Sequence, residues 1–153
     1  MSKYKLKFLV TDEDTLHQKS SKVLPNSRAA KEAKAALEQL YERQGGRAQG
    51  FAAIQVGLPV NVILLRYHYG EKYQIVYNAE VLRKIGRRKS NEGCASEGDI
   101  RYIVYRPWLA KVSYQTEDCV KHVEWLPYRK ARIFCHEYDH TEGILLKDHG
   151  RIV

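Results

Sequence analysis

A disulfide framework, a membrane span and internal repeats are all missing from this sequence, and each absence narrows what the chain can be. Cys94, Cys119 and Cys135 form an odd set without paired spacing, which argues against disulfides and for a reducing compartment. No apolar run is long enough to cross a bilayer, and the start, Met1-Ser2-Lys3-Tyr4-Lys5, lacks the apolar core of a secretory signal. The expectation is a soluble protein of the cytoplasm or another reducing compartment. With no repeat, linker or composition break, 153 residues at 44% hydrophobic are expected to fold as one domain over 1–153. Acidic residues are the minority: 26 Lys+Arg against 18 Asp+Glu leave a net charge of +8. That balance favours anionic partners, and its densest stretch is Arg83-Lys84-Ile85-Gly86-Arg87-Arg88-Lys89. The stretch reads either as a solvated hairpin or as an RNA-contacting surface. It lacks the interleaved aromatics of a stacking platform.

The pattern that is present alternates between helix and strand signals. Pro25-Asn26-Ser27 stops one segment and caps the next, and Ala30, Ala33, Leu37 and Leu40 make an apolar stripe, so a helix is expected from Ser27 to Gln44, ended by Gly45-Gly46. Strands are expected at Val60–Arg66, Tyr73–Tyr77, Val81–Ile85, Ile100–Tyr105, Leu109–Tyr114 and Val120–Trp125, where β-branched and aromatic residues recur at short spacing. A second helix is expected from Pro127 to about Thr141, before Gly143, with a short last strand over Ile144–Lys147. The class is α+β.

Chemistry concentrates in His136-Glu137-Tyr138-Asp139-His140. On a helix the two histidines stand about 6 Å apart along the axis and on one face, so both imidazoles can reach one divalent ion. Glu137 then lies beside that ion, placed to take a proton from water. Upstream, Glu92-Gly93-Cys94-Ala95-Ser96 frames a cysteine with small residues, and Cys94 could supply a third ligand. Three protein ligands leave a fourth tetrahedral position open, as in catalytic sites, whereas a structural zinc needs a fourth protein ligand. Thiolate and imidazole suit Zn(II) or Fe(II). Gly50-Phe51-Ala52-Ala53-Ile54-Gln55 adds a glutamine able to donate to a developing oxyanion.

These three segments, in this order, resemble the peptide deformylases, whose motifs read G-x-G-x-A-A-x-Q, E-G-C-x-S and H-E-x-x-D-H or close variants. Leu16-His17-Gln18-Lys19-Ser20 is similar to that family's N-terminal segment, and Asn78-Ala79-Glu80 to its Asn-Pro-Glu turn. The resemblance implies a metal-binding helix surrounded by antiparallel or mixed strands, with an N-terminal helix. It implies Cys94, His136 and His140 as ligands of one divalent ion, Fe(II) or Zn(II), with Ni or Co able to substitute. Glu137 would be the general base and acid, Gln55 and the backbone N–H of Ala95 the oxyanion donors. Gly50, Arg101, Arg129, Arg132 and Ile133 would meet the substrate, and Glu92 with Arg106 would brace the cysteine loop. The implied reaction removes the formyl group from an N-formylmethionyl peptide or nascent chain. A ribosome contact through the basic surface goes with it, and neither DNA nor membrane is expected. The alternative is a deformylase-like metal protein with altered substrate preference or without formyl-Met activity.

Departures from the motifs bear on that alternative: Ala48 replaces the first glycine, Ile54 a common proline, and Cys135 the usual glutamine before the first metal histidine. None removes a catalytic group. Arg132 and Arg129, four and seven residues before His136, fall near the stripe of the ligand, where the family has an apolar wall for methionine. Either they make that pocket cationic and favour acidic or polar first residues, or they turn to solvent or pair with Glu124 or Glu142. Asp139 reads equally as an orienter of a histidine or as half of a salt bridge. Cys119 and Cys135 read as small hydrophobes, and His17, His68, His122 and His149, without ligand spacing, as surface or structural groups.

Overall fold

The structure is a computed structural model and describes residues 9–153, so the reading of Met1–Lys5 lies outside it. Chain order is α1 (Glu13–Leu16), α2 (Arg28–Arg43), β1 (Gly50–Ala52), β2 (Val62–Leu65), β3 (Gln74–Ile85), β4 (Arg88–Gly93), β5 (Arg101–Arg106), β6 (Leu109–Gln115), β7 (Lys121–Pro127), α3 (Tyr128–Thr141), α4 (Leu146–His149) and β8 (Arg151–Ile152). Two 3-10 turns, Ala53–Val56 and Ala95–Glu97, follow β1 and β4. One antiparallel sheet runs β1-β2-β3-β6-β7 and a second runs β4-β5-β8. Helix α3 packs on strands of both sheets. The fold is α+β, a mixture of helix and antiparallel sheet.

The reason β2 reads as an unbroken apolar run is that both its faces are covered. Its alternate residues split between two cores. Val62 and Leu64 join Ala30, Ala33, Leu37 and Leu40 of α2, whereas Ile63 and Leu65 join Ala131, Ile133, Phe134 and Cys135 of α3. Burying each large aliphatic side chain contributes about 1.5–3 kcal/mol. Helix α2 starts where the cap chemistry puts it, with Ser27 Oγ accepting from the Ala30 N–H at 3.2 Å.

Several expected boundaries move for physical reasons. The two strands expected at Tyr73–Tyr77 and Val81–Ile85 are one strand, β3, with register shifts beside Asn78-Ala79-Glu80. What resembled a turn is therefore an irregularity inside a strand. Asn78 tolerates its φ of 55°, and its amide bonds the backbone of Val23 at 2.7 and 2.8 Å, tying the entry to α2 onto β3. Pro127 is not the first residue of α3 but the last of β7, paired with Leu109, and the helix begins at Tyr128 after a φ of 48° turns the corner. The strand expected at Ile144–Lys147 is replaced by α4. Glu97 accepts from the N–H groups of Leu146 and Lys147, Asp148 accepts from that of Leu145, and these carboxylates cap a helix start. Periodicity did not disclose α1, β1 or β4, which are short or polar. In the basic stretch β3 ends, Gly86 turns at a φ of 81°, and β4 begins at Arg88.

Candidate active site

Three elements converge on one point. Helix α3 supplies His136, Glu137 and His140, the end of β4 supplies Glu92 and then Cys94, and the turn after β1 supplies Gln55. Donor atoms of Cys94, His136 and His140 lie within 4.8 Å of one another, and among the described residues no fourth donor joins that grouping. Cys94 Sγ stands 3.4 Å from His140 Nε2. His136 Nδ1 stands 2.8 Å from Glu92 Oε1, a contact that leaves Nε2 as the imidazole's free ligand atom.

Glu92 does more than brace a loop. Its carboxylate also takes Arg106 Nε and Nη2 at 3.0 and 2.9 Å, and Arg106 Nη1 reaches Asp139 Oδ2 at 2.6 Å. Asp139 is thus half of a salt bridge, and Glu92 is the group that orients a histidine. A carboxylate two residues before the cysteine was its only trace in the sequence. Burial by itself would raise Glu92, but His136 and Arg106 hold it well below the usual carboxylate range. His136, which burial would lower, is pushed up to about 10 by Glu137, Cys94 and Glu92, whereas burial and the neighbouring His136 press His140 down to about 3. Negative groups therefore surround His136, whereas His140 is flanked by positive ones.

Glu137 is 4% exposed, its Oε1 has no hydrogen-bond partner among the described residues, and burial pushes its carboxyl up to about 7. Gly50 makes this possible: a Cβ built there would sit 2.7 Å from Glu137 Oε2. Only glycine lets β1 lie this close to the carboxylate. Gln55 is fixed by its own oxygen, which accepts from the Ala52 N–H at 2.9 Å. Its Nε2 must then face the cysteine, 3.6 Å from Cys94 Sγ and 3.1 Å from Ser96 Oγ. Ser96 as a partner of the glutamine was not foreseen, and no spacing in the sequence signals it.

A cavity of about 370 Å³ brings together Gly50, Gln55, Cys94, Ala95, Arg101, Arg132, Ile133, His136 and Glu137. Arg101 is tied back to Asn91 by bonds of 2.8 and 2.9 Å. Arg129 does not line this cavity. Its Nε donates to the Tyr67 carbonyl at 2.8 Å, and it lines a neighbouring cleft. Neither arginine pairs with Glu124, which accepts from Tyr114, or with Glu142, which pairs with Lys19. Of the remaining groups, Cys135 is buried and Cys119 exposed, His17 pairs with Asp148, and His122 stacks on Tyr114.

The chain has known relatives. A family model described as polypeptide deformylase matches residues 5–151. A peptide deformylase of Flavobacterium johnsoniae is 34% identical over 72% of this chain, and the alignment spans 63% of that relative's length, under two thirds. One of Rickettsia akari is 30% identical over 94% of this chain and 86% of its own. Among solved structures, the peptide deformylase of Thermotoga maritima superposes with a TM-score of 0.82 at 26% identity, covering 95% of this chain and 98% of its own. A Met-Ala-Ser-bound deformylase of Acinetobacter baumannii does so with the same TM-score, identity and coverage. No helix among the described residues is long and apolar enough to cross a membrane.

Proposed function

The chain belongs to the polypeptide deformylase family, and from that membership and the site we propose that residues 1–153 form one catalytic domain that hydrolyses the formyl group from N-formylmethionyl peptides. The single observation that carries this reading is Glu137, a buried carboxyl with a raised pKa and an oxygen that is unpartnered among the described residues, set beside the Cys94, His136 and His140 grouping.

The residues present fit a divalent ion. A thiol and two imidazoles converge with three donor atoms, and Glu92 sets the ring of His136. This donor set suits Fe(II) or Zn(II), with Ni or Co able to substitute. When bound, such an ion supplies Lewis acidity toward the formyl carbonyl and lowers the pKa of water. The protein's own groups carry the rest. Glu137 takes the proton from the attacking water and returns it to the leaving amine, a role suited to a carboxyl whose pKa is near 7. Gln55 Nε2 and the N–H of Ala95, at the open start of a 3-10 turn, donate to the oxygen on which negative charge develops. Gly50, which opens β1 and lines the cavity, offers backbone to the peptide, and the exposed Arg101, also in the lining, meets the substrate's downstream end. The products are formate and a free amino terminus.

The experiment is formate release from formyl-Met-Ala-Ser, with the Fe(II) protein kept anaerobic and with the Zn(II) form. Turnover that depends on the metal and collapses in Glu137→Gln is the expected result; absence of turnover in both forms sinks the reading.

A further inference from the structure

The basic stretch Arg83–Lys89 has no aromatic residue of its own, and the fold supplies them. Gly86 turns between β3 and β4 at a φ of 81°, and a Cβ there would fall 1.5 Å from Trp108 Nε1, so glycine is what lets the indole lie against the turn. Trp108 stands 6.2 Å from the Tyr128 ring, Arg88 lies 5.3 Å over that ring, and Arg87 lies 3.7 Å over Tyr105. All three rings are exposed. Cations and aromatic rings thus alternate in space where they do not alternate in sequence.

The first sheet extends this surface. Its α3 side is buried, and α2 covers the opposite side only over β1, β2 and the start of β3, where Phe51, Leu64 and Tyr77 pack with Leu37 and Leu40. Past that helix, strand register sets Arg83, Lys111 and Trp125 side by side in one row, and Trp125 is 42% exposed. The next row is Glu80, Ser113 and Val123, and its carboxylate is paired with Lys22. Residues 81–91, 100–116 and 125–136, which build this end of the molecule, contain no Asp or Glu. Among the described residues no carboxylate pairs with Arg83, Lys84, Arg87, Arg88, Lys89 or Lys111.

Such a face calls for an occupant that is anionic along its length and offers flat apolar faces. An acidic peptide has the charge without the faces, and a duplex keeps its base faces stacked on one another. A bilayer takes aromatic anchors that insert, whereas Trp108 is held against a turn. RNA is the nucleic acid recognised mostly as single strands, loops and ends, whose unstacked bases lie on aromatic rings. We propose that the β3–β4 turn and the open side of β3, β6 and β7 bind single-stranded RNA, with phosphates along Arg83, Arg87, Arg88 and Lys111 and bases on Trp108 and Trp125. None of these residues lines the catalytic cavity, so the proposal stands or falls apart from the deformylase reading.

The test is fluorescence anisotropy of a labelled oligoadenylate RNA of about twelve nucleotides on the metal-loaded wild type and four variants, across salt from about 50 to 200 mM. Affinity should fall with salt, by about 0.7 in log K per unit of log salt for each phosphate contacted, so Arg83→Ser/Lys111→Ser should flatten the slope by about 1.4. Trp108→Ala and Trp125→Ala should each weaken binding about fivefold or more, the scale of one stacked base, at an unchanged slope. Trp125→Phe keeps a ring and should keep most of the affinity. Formate release and melting temperature should stay at wild-type levels throughout, and if Trp108→Ala melts early the two Trp125 variants decide. Equal affinity for an RNA duplex of the same length overturns the proposal. So does binding that both tryptophan replacements leave unchanged, which marks a polyanion surface without base stacking. Binding to phosphatidylserine vesicles in the absence of RNA binding overturns it as well, in favour of a lipid surface.

Discussion

At the scale of single residues, what was legible in the sequence is what chemistry writes at short spacing. His136, Glu137 and His140 announce themselves because a helix repeats every 3.6 residues, and the grouping with Cys94 is what the structure brings together. Glu92 as orienter and Gly50 as a spacer were not legible from position alone. Their partners lie 44 and 87 residues away, a distance only the fold closes. Two predictions belong here. Glu137→Gln is nearly isosteric but cannot take a proton, so it should keep metal and fold yet lose on the order of 10²-fold or more in kcat; near-normal turnover with full metal by elemental analysis contradicts the role. Gln55→Leu removes the amide that faces Cys94 and should cost roughly 3 kcal/mol of transition-state stabilisation, seen in kcat with little change in KM. A change confined to KM makes Gln55 a substrate-binding group instead.

At the scale of elements, the strongly periodic ones were readable and the interrupted ones were not. Helix α2 carries an apolar stripe behind a serine cap and was placed within a residue at each end. Strand β3 looked like two because Asn78 breaks its alternation, and α4 looked like a strand because its cap comes from Glu97, which only the fold brings near. The buried chain Glu92, Arg106 and Asp139 ties β4, β5 and α3 together. Arg106→Met should therefore strip the guanidinium from two buried carboxylates, leaving Glu92 only His136 and Asp139 only His149, and cost about 3–5 kcal/mol in urea unfolding. A smaller loss, within about 1 kcal/mol, means the trio is not a structural tie. The pH dependence has a definite sign. Glu92 ionises more readily folded than unfolded, so its contribution is present above its ordinary value of 4.5 and is lost as pH falls through its depressed folded value. Stability curves of wild type and Glu92→Gln should accordingly converge as pH drops below about 4.5, and parallel curves from pH 7 to 3 exclude the linkage. Gly50→Ala tests β1 from another side: its Cβ would meet Glu137 Oε2 at 2.7 Å, so kcat should fall far more than the melting temperature.

For the whole molecule, the site is a junction. Cys94 follows the second sheet's β4, the histidines sit on α3, and α3 shares its apolar face with the first sheet through Ile63 and Leu65. Composition foresaw a core of this kind but not the seam, since nothing local marks that two sheets will meet along one helix. An ion held by Cys94, His136 and His140 would therefore link both sheets, and its binding energy would count toward global stability. At a hundredfold excess over Kd that linkage amounts to about 2.7 kcal/mol. For a chain of 153 residues each kcal/mol shifts Tm by roughly 2–4 °C, so chelation should lower Tm by about 5–10 °C. Cys94→Ala, His136→Ala and His140→Ala should each bind no stoichiometric metal and show one melting temperature with or without chelator. Elemental analysis alongside the melts decides it. A wild type stripped of metal at unchanged Tm means that the ion does not link the sheets, and an alanine variant that keeps its metal means that the replaced residue is not a ligand.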